Sequence, residues 1–281
     1  MVFGLYASSY AENTQSRAVI GADLTEEQIT LVYQAFGVPR GSVTQLKLTN
    51  AEERQLLEGF VDPAVIGTRS ISCVYMELLS PDSGMNVATN NITWCDADLY
   101  INALSTVGIK DVRIIVAAPF PVSGTAALAG IYKAYEDMTG QELDKEAKNV
   151  STQELTVTGE LAQEIGSTDS TSIVQELKLI LSETSKMSDE QIRVEITNIA
   201  SRYHVSLTET QIRQLISLCR SLQGLDSFSL KGGVEDVQGT INKISNAKSQ
   251  VVSFIDTIKN AITSVQSFIE RMQAILDKFG Y

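Results

Sequence analysis

Apolar and polar positions alternate with a period of two along three stretches of the N-terminal half: VTQLKLT from Val43, RSISCVYMELL from Arg69 and MNVATNNITW from Met85. Each reads as a β-strand. DVRIIVAAP from Asp111 is a continuous apolar run of buried-strand length, and the helical repeat of Asp96 to Val107 lies before it, so Gly84 to Ala118 predicts strand, helix, strand. PDSG at Pro81 predicts a turn that joins the second and third stretches as a hairpin. Two capping-box patterns open short helices: Thr25 with Gln28, ahead of Ile29, Val32 and Phe36, and Thr49 with Glu52. Residues 43–117 therefore run strand, helix, strand, strand, helix, strand. That order fits the split β-α-β, ferredoxin-like unit, an antiparallel sheet with both helices on one face; another mixed sheet is the alternative. Pro119 and Pro121 break the backbone, after which Ser123 is placed to cap a helix of small residues that ends at Gly140.

All five prolines precede residue 122, which predicts a helical second half. Capping boxes at Ser151 with Glu154, Ser188 with Gln191 and Thr208 with Gln211, together with the apolar stripe Ile173, Val174, Leu177, Ile180 and Leu181, predict four helices over residues 152–223. LDSFSLKGG from Leu225 reads as a linker. Beyond it, fourteen positions from Val234 to Phe279 fall at strict 3,4 spacing, and all but Lys248 are apolar. This heptad predicts a long amphipathic helix that folds back on its own chain, meets a protein partner or a second copy through Val234, Ile241, Ile255, Ile262 and Ile269, or lies on a membrane surface. The fold class is thus α+β: an N-terminal mixed or antiparallel sheet with helices, a helical region, and the C-terminal helix. The division is 1–16 signal-peptide remnant or disordered terminus, 17–150 α+β domain, 151–230 helical domain and 231–281 heptad helix.

Charge removes one class of partner. The net −12 divides as −8 over residues 1–150 (10 basic, 18 acidic), −5 over 151–230 (6 and 11) and +1 over 231–281 (6 and 5). Nucleic acid is therefore not expected, because binding it depends on neutralising phosphates. Cys73, Cys95 and Cys219 show no zinc spacing and read as buried free thiols; a bridge between Cys73 and Cys95 on neighbouring strands is the alternative, but a tight turn near Asp82 and Ser83 would leave them three positions out of register. A single histidine, His204, excludes a multi-histidine metal site and reads as a helix-end residue. Neither a metal nor a cofactor is expected. VFGLYASSYA at residues 2–11 is apolar and then small, with Ser9 and Ala11 placed as the −3 and −1 residues of a signal-peptidase site before Glu12. A location in the cell envelope or outside the cell follows as an expectation.

GADLTEEQ from Gly21, NNITW from Asn90 and above all APFPVSGTAALAGIYKAYEDMTG from Ala118 resemble the YpuA-like family of secreted or lipid-anchored proteins of Gram-positive bacteria. The resemblance covers roughly Gly21 to Leu225. It implies location and a coherent fold but brings no activity and no catalytic residue. A lipobox cysteine is not found near residue 1, which counts against lipid anchoring of this chain.

Three constellations carry candidate chemistry. Ser123, Gly124 and Thr125, behind two prolines at a helix start, offer backbone N–H groups and two hydroxyls to an anion or carboxylate, and serve equally as an N-cap. Asn90, Asn91, Thr93 and Trp94, the only tryptophan, form a stacking and hydrogen-bonding patch at a strand end, where asparagines also finish turns. Asp96 and Asp98 resemble an acid-base pair, but two acids in a first helical turn are explained by capping and the helix dipole. The sequence thus carries an assembly signal and no catalytic one. Its first reading is a non-enzymatic interaction or binding module of the envelope. The alternatives are a hydrolase of cell-wall or peptide substrates using Ser123 or the aspartates beside Trp94, and a peripheral membrane protein acting through the heptad helix.

Overall fold

The three most apolar strands take the inside of the sheet. The computed structural model describes residues 15–225. It contains β1 (Ser16–Gly21), α1 (Glu26–Phe36), β2 (Thr44–Leu48), α2 (Asn50–Leu57), α3 (Pro63–Ile66), β3 (Cys73–Leu78), β4 (Met85–Ile92), α4 (Ala97–Thr106), β5 (Val112–Val122) and α5 (Ala127–Thr139). A helical run follows: α6 (Lys145–Ile165), α7 (Ser167–Leu179), α8 (Leu181–Thr184), α9 (Asp189–Arg202) and α10 (Glu209–Gln223). The five strands order as β2-β1-β3-β5-β4. β1 runs parallel to β2 and β4 parallel to β5, while β3 is antiparallel to both of its neighbours.

Two sequence expectations fail here for one reason. β3 and β4 do not form a hairpin, because β5 lies between them, and the two parallel pairs exclude the antiparallel ferredoxin-like sheet. VRIIVAA is apolar along its whole length and is best buried on both faces of an interior strand, whereas MNVATNNI is half polar and suits an edge. The link from β3 to β4 passes the start of β5 instead. There Asp111, in the left-handed region at φ 53°, accepts a bond from Leu79 N (2.7 Å) on its carbonyl and one from Gly84 N (2.9 Å) on its carboxylate. The strand–helix–strand reading of Gly84 to Ala118 is what β4, α4 and β5 form. The sheet also gains a strand, β1, that the sequence pattern had not marked.

Alternation along β1 and β3 loads both faces of the sheet. Ala18, Ile20, Cys73, Tyr75 and Ala117 pack on Ile29, Val32 and Phe36 of α1. On the opposite face Val19, Val74, Met76, Ile114 and Val116 pack on α4 and α5, and the same hydrophobic cluster continues without a break through the helical run to Leu225. It crosses position 150/151, where the sequence was divided, and α6 itself spans that position.

The capping boxes at Thr25, Thr49, Ser188 and Thr208 form as read. Ser151 does not cap a helix. α6 starts about two turns earlier on Asp144, whose side chain accepts from Ala147 N, and both Ser151 and Glu154 are buried in its interior. Five helices, not four, fill this region among the described residues, because the apolar stripe after Ile173 breaks into α7 and the single turn α8. The signal-peptide segment and the heptad helix, with its partner and membrane readings, lie outside the described residues.

Candidate functional site

β1, β2, β4 and β5 all end at the same edge of the sheet, where β3 begins. Open sheets with parallel strands commonly bind ligands at such carboxyl ends. The prolines shape this edge. Between Asn90↔Ala117 and Ile92↔Val122, β5 advances five residues against two of β4, and the surplus carries Pro119, Phe120 and Pro121. Proline cannot donate to a ladder. It is tolerated here because β3 begins opposite Ala117, so beyond that point β5 has no partner on the β3 side. Asn91, at φ 56°, spans the bulge by donating its side-chain amide to Ala118 O at 2.9 Å.

The bulge brings two of the candidate stretches together. Thr93 N and Thr93 Oγ1 donate to Val122 O (2.9 and 3.0 Å), and the N–H groups of Trp94 and Cys95 donate to Ser123 O (3.2 and 3.1 Å). Thr93, Trp94 and Ser123 thereby line one cleft of about 460 Å³, with Arg69, Ser72 and Gln163 among its other walls. On the far side of Thr93, Trp94 and Gln163 lies a smaller cavity of about 230 Å³, lined also by Asp96, Gly159, Ala162 and Ser167. Trp94 is held there by α6. A Cβ on Gly159 would stand 2.5 Å from the indole, so only glycine lets the ring lie against the helix.

The remaining candidates are placed elsewhere. Asn90 and Asn91 are exposed on β4 and do not line the cleft. Gly124 and Thr125 are buried. Gly124 adopts φ +92°, its carbonyl accepts from Tyr100 Oη at 2.6 Å, and a Cβ would fall 2.4 Å from Ile92. The α5 N-cap is Ala126 with no side-chain bond, so Ser123 does not cap the helix; its Oγ lies 3.4 Å from Thr125 Oγ1. Asp96 caps α4, accepting from Leu99 N at 3.1 Å. Burial, and then the neighbouring Asp96, raises the Asp98 carboxyl above its ordinary range.

Arg69, Ser72 and Gln163 complete the cleft and were not singled out in the sequence. Arg69 belongs to a loop clamped from below. Ser70 N donates to Asp23 Oδ2 at 2.7 Å, and Ser70 Oγ donates to the buried carboxylate of Glu53. Glu53 also receives Asn50 Nδ2 at 3.2 Å, and burial pushes its carboxyl up to about 7. The thiols are not reactive groups of the site. Cys73, Cys95 and Cys219 are free and buried, and burial pushes the Cys73 thiol up to about 12, so thiolate is disfavoured. β5 separates the strands that carry Cys73 and lead to Cys95, which removes the bridge considered above. His204 is exposed at the end of α9 with φ 58°. Among the described residues no group of three His, Cys, Asp or Glu side chains is placed to hold a metal ion, and no helix is long and apolar enough to cross a membrane.

Fold and cleft together define a mixed-sheet α+β protein with a tryptophan-walled recess, half of its lining residues aliphatic, at the carboxyl ends of its strands. The chain belongs to the family described as "Protein of unknown function (DUF1002)", which matches residues 20–244. It is 34% identical over 239 residues to "Uncharacterized protein YpuA" of Bacillus subtilis (strain 168), covering 85% of this chain and 79% of that protein. The resemblance read from Gly21, Asn90 and Ala118 is therefore a family relationship. No solved structure matches the chain.

Proposed function

We propose that this protein is a non-enzymatic binding module of the cell envelope, and that its ligand sits in the cleft beside Trp94. One observation carries the reading: six polar side chains line a single recess, and two of them keep unused hydrogen-bonding groups. The indole N–H of Trp94 and the side-chain amide of Gln163 have no hydrogen-bond partner among the described residues, and they stand with the Arg69 guanidinium and the hydroxyls of Ser72, Thr93 and Ser123. A planar ring, one cation and several hydroxyls suit a small polar ligand with a carboxylate for Arg69 and a sugar-like or flat face for the indole. The hydrolase alternative has less support. Arg69 is the only titratable side chain among the cleft's lining residues, so Ser123 has no general base beside it.

Because the chain holds a single tryptophan, its fluorescence reports on this cleft and the small cavity behind it. Titration with N-acetylmuramic acid, a sugar that carries a carboxylate, is expected to give a saturable change in emission, weakened about tenfold or more by Arg69→Ala. If neither this probe nor a dipeptide with a free carboxylate changes the emission saturably, the cleft is not the ligand seat.

A further inference from the structure

The helices behind the cleft enclose a polar seam that the hydrophobic core does not explain. Lys178 and Glu154, 3% and 0% exposed, form an ion pair of 2.6 Å between α7 and α6. Lys178 Nζ also donates to Asn102 O (2.8 Å), Asn102 Oδ1 (3.3 Å) and Ser105 Oγ (3.0 Å) on α4, and Thr106 Oγ1 donates to Glu154. Lys178 is thus well satisfied, while Glu154 Oε1 meets only the ammonium of the ion pair. The surroundings of the pair are not satisfied: Asn102 Nδ2, Thr158 Oγ1, Thr171 Oγ1 and both amide atoms of Gln175 are buried without a hydrogen-bond partner, on residues no more than 1% exposed, and the buried Ser167 Oγ is unpartnered as well. Leaving a buried donor or acceptor unmet costs about 1–3 kcal/mol each, so six such atoms in one place call for an occupant.

Their placement is linear. Ser167, Thr171, Gln175 and Lys178 recur at helical spacing along one face of α7, a run of about 16 Å. α6 and α7 are antiparallel about Gly166, and the Glu154–Lys178 contact fixes their register, which sets Thr158 at the level of Gln175. The outer end abuts the small cavity, which Ser167 lines together with Gly159 and Trp94, with the Ser167 hydroxyl oxygen itself buried. The chemistry of the unmet groups selects the occupant. Two are N–H donors, one is a carbonyl acceptor and three are hydroxyls that act either way. A cation would leave the donors unmet and an anion the acceptor, whereas a small neutral molecule that both donates and accepts satisfies all six.

We infer that the seam between α4, α6 and α7 is an internal binding site for a short file of water molecules, running from the cavity behind Trp94 to the Lys178–Glu154 pair. A buried water makes about three hydrogen bonds, so a file of three waters, whose two mutual contacts use about four of its nine or so bonds, has about five left for the six unmet atoms. The file gives a fully buried ion pair a route for proton exchange with solvent.

The test needs only the full chain. A high-resolution crystal structure of the wild type is expected to place about three waters on Gln175, Thr171, Thr158 and Asn102, and oxygen-17 relaxation dispersion to count fewer long-lived internal waters in Gln175→Leu than in the wild type. Gln175→Leu is expected to lose two of these waters without a fall in Tm, since the change removes two unmet polar atoms and inserts none. A wild type with no long-lived water, or a crystal structure in which the Gln175 amide is bonded to protein groups in a dry seam, overturns the inference whether or not the variant folds.

Discussion

Replacing Lys178 with Met tests the ion pair at the centre of the helical region. The substitution keeps the length of the side chain and removes the ammonium, leaving Glu154 with only the Thr106 hydroxyl. In the native chain burial drives the Glu154 carboxyl upward and Lys178 opposes it, so loss of Lys178 releases the full upward shift. Removing one member of a buried pair typically costs about 3–5 kcal/mol, and the lower end applies here if water reaches the pair. Stability should also become pH-dependent. In the variant the folded state retains a proton that the unfolded state releases near pH 4.5, so stability is greatest below that pH and falls as pH rises, by at most about 1.4 kcal/mol per unit. Between pH 5 and pH 7 the variant should therefore lose more stability than the wild type does. Replacing both residues, Glu154→Leu with Lys178→Met, removes the uncompensated charge. It should recover most of the loss, the remainder reflecting Asn102 and Ser105, which lose the ammonium. Urea unfolding followed by far-UV circular dichroism, at both pH values and for the wild type, Lys178→Met, Glu154→Leu and the double replacement, yields the cycle. If Lys178→Met unfolds within 1 kcal/mol of the wild type at pH 7, on the order of surface substitutions, the pair is not the buried, coupled unit described above.

Two further outcomes are expected. Glu53 is 0% exposed and keeps its proton up to about pH 7, against an ordinary value near 4.5, chiefly through burial. Its contribution is full below about pH 4.5 and is lost as pH rises to 7, amounting to about 3 kcal/mol; Glu53→Gln should flatten the dependence of Tm on pH across that window, and curves that stay parallel to wild type would exclude Glu53 as the cause. Secretion is checked by sequencing the N-terminus of the mature protein from its native host: a start within a few residues of Glu12 agrees with the envelope placement, and a cytosolic chain beginning at Met1 contradicts it.

What the sequence disclosed depends on how local each signal is. Thr25 with Gln28 and Thr208 with Gln211 are closed by residues three apart, so the pattern alone suffices to place the helix start. Ser151 with Glu154 has the same spelling and a different cause. Ser151 Oγ donates to Ala103 O at 2.6 Å and accepts from Tyr132 Oη at 2.7 Å, and Glu154 pairs with Lys178, so both are polar for tertiary reasons that a four-residue window does not contain. β1 escaped notice because SRAVIG does not alternate and its apolar run, Ala18 to Ile20, is too short to mark a buried strand.

The sheet order shows the same limit and explains why only half of the cleft was foreseen. Burial preference ranked the strands, since VRIIVAAP is apolar throughout and MNVATNNI is not, yet the turn at Pro81 suggested a hairpin, and local turn chemistry prevailed over a ranking that requires comparing strands far apart in the chain. Once β5 is placed between β3 and β4, the consequences are forced. Its prolines must leave the ladder beyond Ala117, the bulge carries Ser123 against the backbone of Trp94, and the loop that leads into β3 delivers Arg69 and Ser72 to the opposite wall. Thr93, Trp94 and Ser123 were legible because each stretch is chemically unusual on its own. Arg69 and Gln163 were not, because an arginine before a strand and a glutamine on a helix are ordinary until topology sets them across from an indole; Gly159, four residues before Gln163 and small enough to seat Trp94, is the one sequence mark that pointed to that face of α6.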